Sequence, residues 1–135
     1  SMSAFQPIAF IGGGNMAAAI VGGLLKAGRP AATVTIVEPY EATRAALRQK
    51  FGIDALAQAD ASLARAATVV WAVKPQSFRD AAAPCRAHVA GALQLSVMAG
   101  IPSASIVAAT GSEAVVRTMP NTPALIGQGI AGLYA

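Results

Sequence analysis

Three consecutive glycines, Gly12, Gly13 and Gly14, stand between the apolar run Ile8 to Ile11 and a segment of helical character that opens at Asn15. Glycine loses more conformational freedom on folding than any other residue. A run of it therefore marks a place where the backbone must bend sharply or be approached closely. The flanks narrow the choice. Ile8 to Ile11 is short, continuous and apolar, which predicts a strand buried on both sides and ended by glycine. Asn15 to Ala27 predicts a helix, with Gly28 placed to end it.

The rest of the chain repeats this grammar. Thr33 to Glu38 is β-branched and predicts a second strand. Pro39 suits the first turn of a helix running through Glu41 to Phe51, and Gly52 falls where a C′ glycine belongs. Ala67 to Val73 predicts another buried strand, stopped by Lys74 and Pro75. Ser77 to Ala83 and Cys85 to Gly91 read as helical pieces on either side of Pro84. Leu93 to Gly100 reads as a strand running into a turn. Ser103 to Thr110 reads as a short helix capped by Ser103, and Ala114 to Met119 as a strand ended by Pro120. Strands and helices thus alternate roughly every twenty to thirty residues, the spacing of βαβ units. The expected architecture is α/β: a Rossmann-type, doubly wound, mainly parallel sheet with helices on both faces. With 135 residues, 55% of them hydrophobic, the chain can bury one real core. No repeat or linker divides it, so residues 1–135 are expected to form one domain. Ser1-Met2 reads as the scar of a removed tag.

In that context the glycines acquire a meaning. Gly12, Gly14 and Ala17 fit G-x-G-x-x-A between a strand and a helix. Gly12 permits the tight turn, Gly14 lets backbone approach a pyrophosphate, and Ala17 keeps the helix close to the sheet. The helix N-terminus offers N–H groups and a partial positive charge to the phosphates. A triplet alone could be a flexible turn, but the strand before it and the helix after it favour nucleotide binding. A P-loop is excluded, because no Gly-Lys-Ser/Thr follows. Glu38 closes the second strand, where an acid can accept hydrogen bonds from the adenosine ribose and so favours NAD. It could equally be a first-turn acid of the next helix. Arg44 could instead accommodate NADP, so NADPH and NADH both stay open.

Ligands of a doubly wound sheet bind beyond the carboxyl ends of its strands. Three segments fall there: Ala72, Val73, Lys74 and Pro75; Met98, Ala99 and Gly100; and Met119 to Ala124. Lys74 could meet a phosphate or ribose, or be a solvated loop lysine. Gly100 allows close approach. Pro120 and Pro123 hold Asn121 and Thr122 with little entropy left to lose on binding. No nucleophile–base pair accompanies these segments. His88 falls on a helix away from the strand ends and reads as structural, and the lone Cys85 as a small buried hydrophobe.

Composition closes off other classes. A formal charge of +4 comes from ten scattered Lys and Arg, without the aromatic-basic platform a nucleic-acid surface needs. The longest apolar stretch, Met16 to Leu25, ends at Lys26 and is too short to span a bilayer, and no signal peptide is visible. One cysteine allows no internal disulfide, which fits a reducing, cytoplasmic setting. One histidine and one cysteine predict no structural zinc.

The glycine segment FIGGGNMAAAIVGGLL, then VVWAVKPQ, SVMAGI and RTMPNTPALIGQGIAGLYA, together and in this order, resemble the pyrroline-5-carboxylate reductase family along nearly the whole chain. The resemblance implies reduction of 1-pyrroline-5-carboxylate to L-proline by hydride from NADPH or NADH. It implies that Ile11, Gly12, Gly13, Gly14, Asn15 and Met16 hold the pyrophosphate. Ala72 to Pro75 and Met98 to Gly100 would line the ribose and nicotinamide, and Met119, Pro120, Asn121 and Thr122 would lie at the nicotinamide and substrate end. No metal and no catalytic side chain is implied, because a protonated imine is already electrophilic. Family chains are about twice as long, with a helical second domain that makes a homodimer and completes the substrate pocket. This chain is therefore expected to bind cofactor with little or no turnover. The alternatives are the cofactor domain of another imine or β-hydroxyacid reductase, and a non-catalytic dinucleotide-binding module.

Overall fold

The computed structural model describes residues 5–118 and 122–132. Five strands, β1 (Ile8–Ile11), β2 (Val34–Val37), β3 (Thr68–Trp71), β4 (Leu93–Ser96) and β5 (Val115–Arg117), form one parallel sheet in the order β2-β1-β3-β4-β5. Six α-helices accompany them: α1 (Asn15–Lys26), α2 (Glu41–Phe51), α3 (Phe78–Ala82), α4 (Arg86–Val89), α5 (Ser103–Thr110) and α6 (Pro123–Gly132). The expected Rossmann-type, doubly wound architecture is what forms. Strand order reverses between β1 and β3, which places the switch point above the carboxyl end of β1.

Both faces of the sheet are covered, and alternate residues of each strand feed opposite cores. Ile8 and Phe10 pack with Ile20 and Leu24 of α1, Leu47 of α2, and Ile126 and Ile130 of α6. Ala9, Ile11, Val69 and Trp71 face the other way, onto Phe78, Val89 and Ile106 of α3, α4 and α5. The second core contains a polar pin. The Trp71 indole N–H donates to Gln94 Oε1 at 2.8 Å, while Gln94 Nε2 donates to the carbonyls of Val89 and Ala92. Both residues are wholly buried, so removing either leaves an unpaired polar group at a cost of about 1–3 kcal/mol beyond lost packing. Phe78 meets the indole edge-on, with ring centroids 5.2 Å apart.

Helix α2 ends at the expected Gly52, and α5 ends at Gly111, both in the left-handed region. Two local readings need correction. The α5 cap is Pro102, extended at φ −66°, and Ser103 is the first helical residue with no capping bond. Pro39 lies outside α2, whose N-cap is Tyr40. The helical pieces expected on either side of Pro84 form as α3 and α4, and a 3₁₀ turn at Ala83–Cys85 joins them, because a proline early in a new turn gives up no needed N–H.

Candidate functional site at the carboxyl rim

The glycine loop is built by its neighbours. Gly12 N–H donates to the Val37 carbonyl at 2.9 Å, and Ala72 N–H donates to the Ile11 carbonyl at 2.9 Å. The loop therefore lies between the ends of β2 and β3. At Gly12, φ is +101°, and an added Cβ would meet the Ala72 oxygen at 2.7 Å. A Cβ on Gly13 would meet Leu47 Cδ1 at 2.8 Å and Glu38 Cβ at 3.2 Å. Gly14 differs: its φ is −73° and a Cβ there would have no neighbour within 4 Å among the described residues. Gly14 is also the N-cap of α1, with no side-chain capping bond and no acid in the first turn. Gly14, Asn15 and Met16 are exposed, while Ala17 is buried against the core. The helix thus presents an open, positively polarised end at the switch point.

Glu38 is tied more tightly than its sequence position indicates. It is only 6% exposed. Its Oε1 accepts from Gly13 N–H at 3.0 Å and its Oε2 from Tyr40 N–H at 2.9 Å. The carboxylate braces the glycine loop against the loop entering α2, and the remaining lone pairs can still accept from a ligand hydroxyl. Arg44 does not stand free over this acid. Its Nη1 donates to the carbonyls of Glu38 at 3.0 Å and Pro39 at 2.7 Å. The bond between Gly13 and Glu38 spans 25 residues, and no local pattern announces it.

The other predicted segments reach the same rim. Ala72 and Val73 are half-buried directly against Gly12, and Lys74 and Pro75 are exposed. Met98 sends its side chain into the core, leaving backbone for a ligand, and its N–H donates to Ser96 Oγ at 3.2 Å. Ala99 and Gly100 are exposed, with Gly100 at φ +75°. Thr122 caps α6, its Oγ1 accepting from Leu125 N–H at 3.3 Å. Met119, Pro120 and Asn121 lie outside the described residues. A groove of about 580 Å³ between α3 and α5 shares Pro75 with the predicted set but excludes the glycine loop. His88, half-buried on α4, lies before the amino end of β4, remote from the rim. Cys85 is buried, and burial pushes its thiol up to about 11, which makes it a poor nucleophile. No helix among the described residues is long and apolar enough to cross a membrane.

A parallel sheet with an open helix end at its switch point defines the Rossmann-type class of domain. Comparison with known proteins then places it more narrowly. Residues 7–100 match the family described as NADP oxidoreductase, coenzyme F420-dependent, and the chain belongs to that family. It is 46% identical over 134 residues to pyrroline-5-carboxylate reductase of Pseudomonas aeruginosa, covering 95% of this chain and 48% of the relative. It is 42% identical over 132 residues to the Haemophilus influenzae enzyme of the same name, covering 95% and 48%. The chain spans about half the length of the curated relatives it matches. Among solved structures, a pyrroline-5-carboxylate reductase from Coxiella burnetii superposes with a TM-score of 0.77 at 29% identity, covering 90% of this chain and 46% of that one. The Plasmodium falciparum pyrroline carboxylate reductase, solved with NADP bound, shares the fold with a TM-score of 0.72 at 21% identity, covering 90% and 44%.

Proposed function

We propose that this chain is the cofactor-binding half of a pyrroline-5-carboxylate reductase, working in a reducing, cytoplasmic setting. The observation that carries the binding role is Gly14. Nothing among the described residues requires a glycine there, yet it heads an uncapped helix at the switch point. The 46% identity to the Pseudomonas aeruginosa enzyme supports the choice of substrate.

In this reading the N–H groups of Gly14, Asn15 and Met16 hold the pyrophosphate. Gly13 does not, because its N–H is given to Glu38. Glu38 faces the adenosine ribose, while Ala72 to Pro75 and Met98 to Gly100 line the path towards the nicotinamide. Asn121 and Thr122 complete the substrate end. The bound cofactor supplies hydride to the carbon of the ring imine. The protein orients the two reactants, which needs no nucleophile of its own. Assembly as a homodimer, and the remainder of the substrate pocket, belong to the second half of the full-length enzyme.

The preferred cofactor is NADH. A 2′-phosphate would face a buried carboxylate held by two amides, while the Arg44 guanidinium, which keeps its charge, is anchored through Nη1 to the carbonyls of Glu38 and Pro39. Titration of the chain with NADH and NADPH tests this. Tighter NADH binding is expected by about tenfold, the scale of one unfavourable charge contact. Equal or tighter NADPH binding overturns the preference, and binding of neither overturns the cofactor role. Whole-enzyme assays comparing 1-pyrroline-5-carboxylate with hydroxyacids test the substrate, and turnover of hydroxyacids alone would reject it.

A further inference from the structure

Four large apolar side chains are exposed among the described residues. Val116 and Leu125 lie on β5 and α6. The other two border the glycine loop: Met16, the second residue of α1, and Tyr40, the N-cap of α2. Tyr40 is the most exposed of the four, at 73%. An exposed ring on a loop is ordinary. This ring stands on a backbone held from both sides. Its N–H donates to Glu38 Oε2 at 2.9 Å and its carbonyl accepts from Arg44 N–H at 3.0 Å. The Pro39 carbonyl before it is gripped by Arg44 Nη1 at 2.7 Å. Only the ring's own torsions remain to be fixed by a ligand, so contact there costs little entropy.

We infer that Tyr40 is the platform on which the cofactor's purine stacks. The inference rests on the dinucleotide reading above. With the pyrophosphate on the first turn of α1 and the ribose at Glu38, the base continues away from the glycine loop, past Glu38. The chain immediately beyond Glu38 is Pro39 and Tyr40. The outer side of β2 is closed to it by Leu56, whose carbonyl accepts from Glu38 N–H and whose N–H donates to the Ile36 carbonyl, both at 2.8 Å. An aromatic face accepts any purine without hydrogen bonds, while Glu38 reads the sugar. The adenosine half is thus recognised by two neighbouring residues with separate tasks.

The experiment titrates the chain and its Tyr40→Ala and Tyr40→Phe variants with NADH and with ADP-ribose, checking by thermal melting that each variant is folded. Tyr40→Ala is expected to weaken both ligands alike, by about five- to tenfold, because both carry the adenosine. Tyr40→Phe should stay within about twofold of the parent, since stacking needs the ring and not the hydroxyl. Unchanged affinity in Tyr40→Ala overturns the platform, and so does an equal loss in Tyr40→Phe, which would assign the effect to the hydroxyl. If the parent chain binds neither nucleotide, the dinucleotide reading fails first and takes the platform with it.

Discussion

The loops after β1 and after β4 both turn a parallel strand towards a helix, and both contain a glycine at positive φ, Gly12 at +101° and Gly100 at +75°. Their surroundings differ. Gly12 is pressed onto the β3 end, and Gly13 is wedged between Leu47 and Glu38. Among the described residues, Gly100 has nothing within 4 Å of where a side chain would begin. The first loop is thus shaped by packing as well as by dihedral angle, the second by dihedral angle alone. Two of the three consecutive glycines answer to the protein's own needs, so a glycine run is weaker evidence of a ligand than it looks. Gly14 is different, because neither its backbone angle nor its neighbours explain it.

Substitutions can break this contrast. Gly12→Ala should have the largest effect, about 3 kcal/mol of lost stability by urea unfolding, because backbone strain and a clash with the Ala72 carbonyl add. A loss below about 1 kcal/mol would show that the β3 end yields and that the two loops are alike. Gly100→Ala should cost about 1–2 kcal/mol, the left-handed penalty without a clash. Gly14→Ala should leave stability within about 0.5 kcal/mol, or raise it slightly, since φ is already negative and the space is open. The same variant should weaken NADH binding at least about tenfold in the nucleotide titration. If affinity is untouched, the open space at Gly14 has no bearing on a phosphate.

Most of the layout could be read in advance because burial on both sheet faces makes the strands predominantly apolar and β-branched. Ile8 to Ile11 is the plainest example. Gly28 and Gly52 marked helix ends because only glycine takes positive φ without strain. What stayed hidden depended on distant partners. Helix α6 carries three glycines in ten residues and has poor intrinsic propensity, yet Ile126 and Ile130 pin it to the core shared with α1. Ser103 looked like a cap, but Pro102 already holds the extended angles a cap requires. At the rim, an acid ending the second strand was legible. That its two oxygens are engaged by Gly13 and Tyr40 was not, since the first contact exists only once β1 and β2 are paired. Tyr40 itself gave no signal: beside Pro39 it is an unremarkable loop residue until its backbone tethers are seen.

The chain holds one tryptophan, and Trp71 ends β3, wholly buried, one residue before the Ala72 that touches Gly12. Its fluorescence therefore comes from a single known location, sealed from water and directly beneath the rim. Unfolding must shift that emission towards the colour of a solvated indole, while a reduced nicotinamide bound above would drain it by energy transfer. The molecule carries its own optical gauge, able to separate loss of structure from arrival of a ligand without any added label.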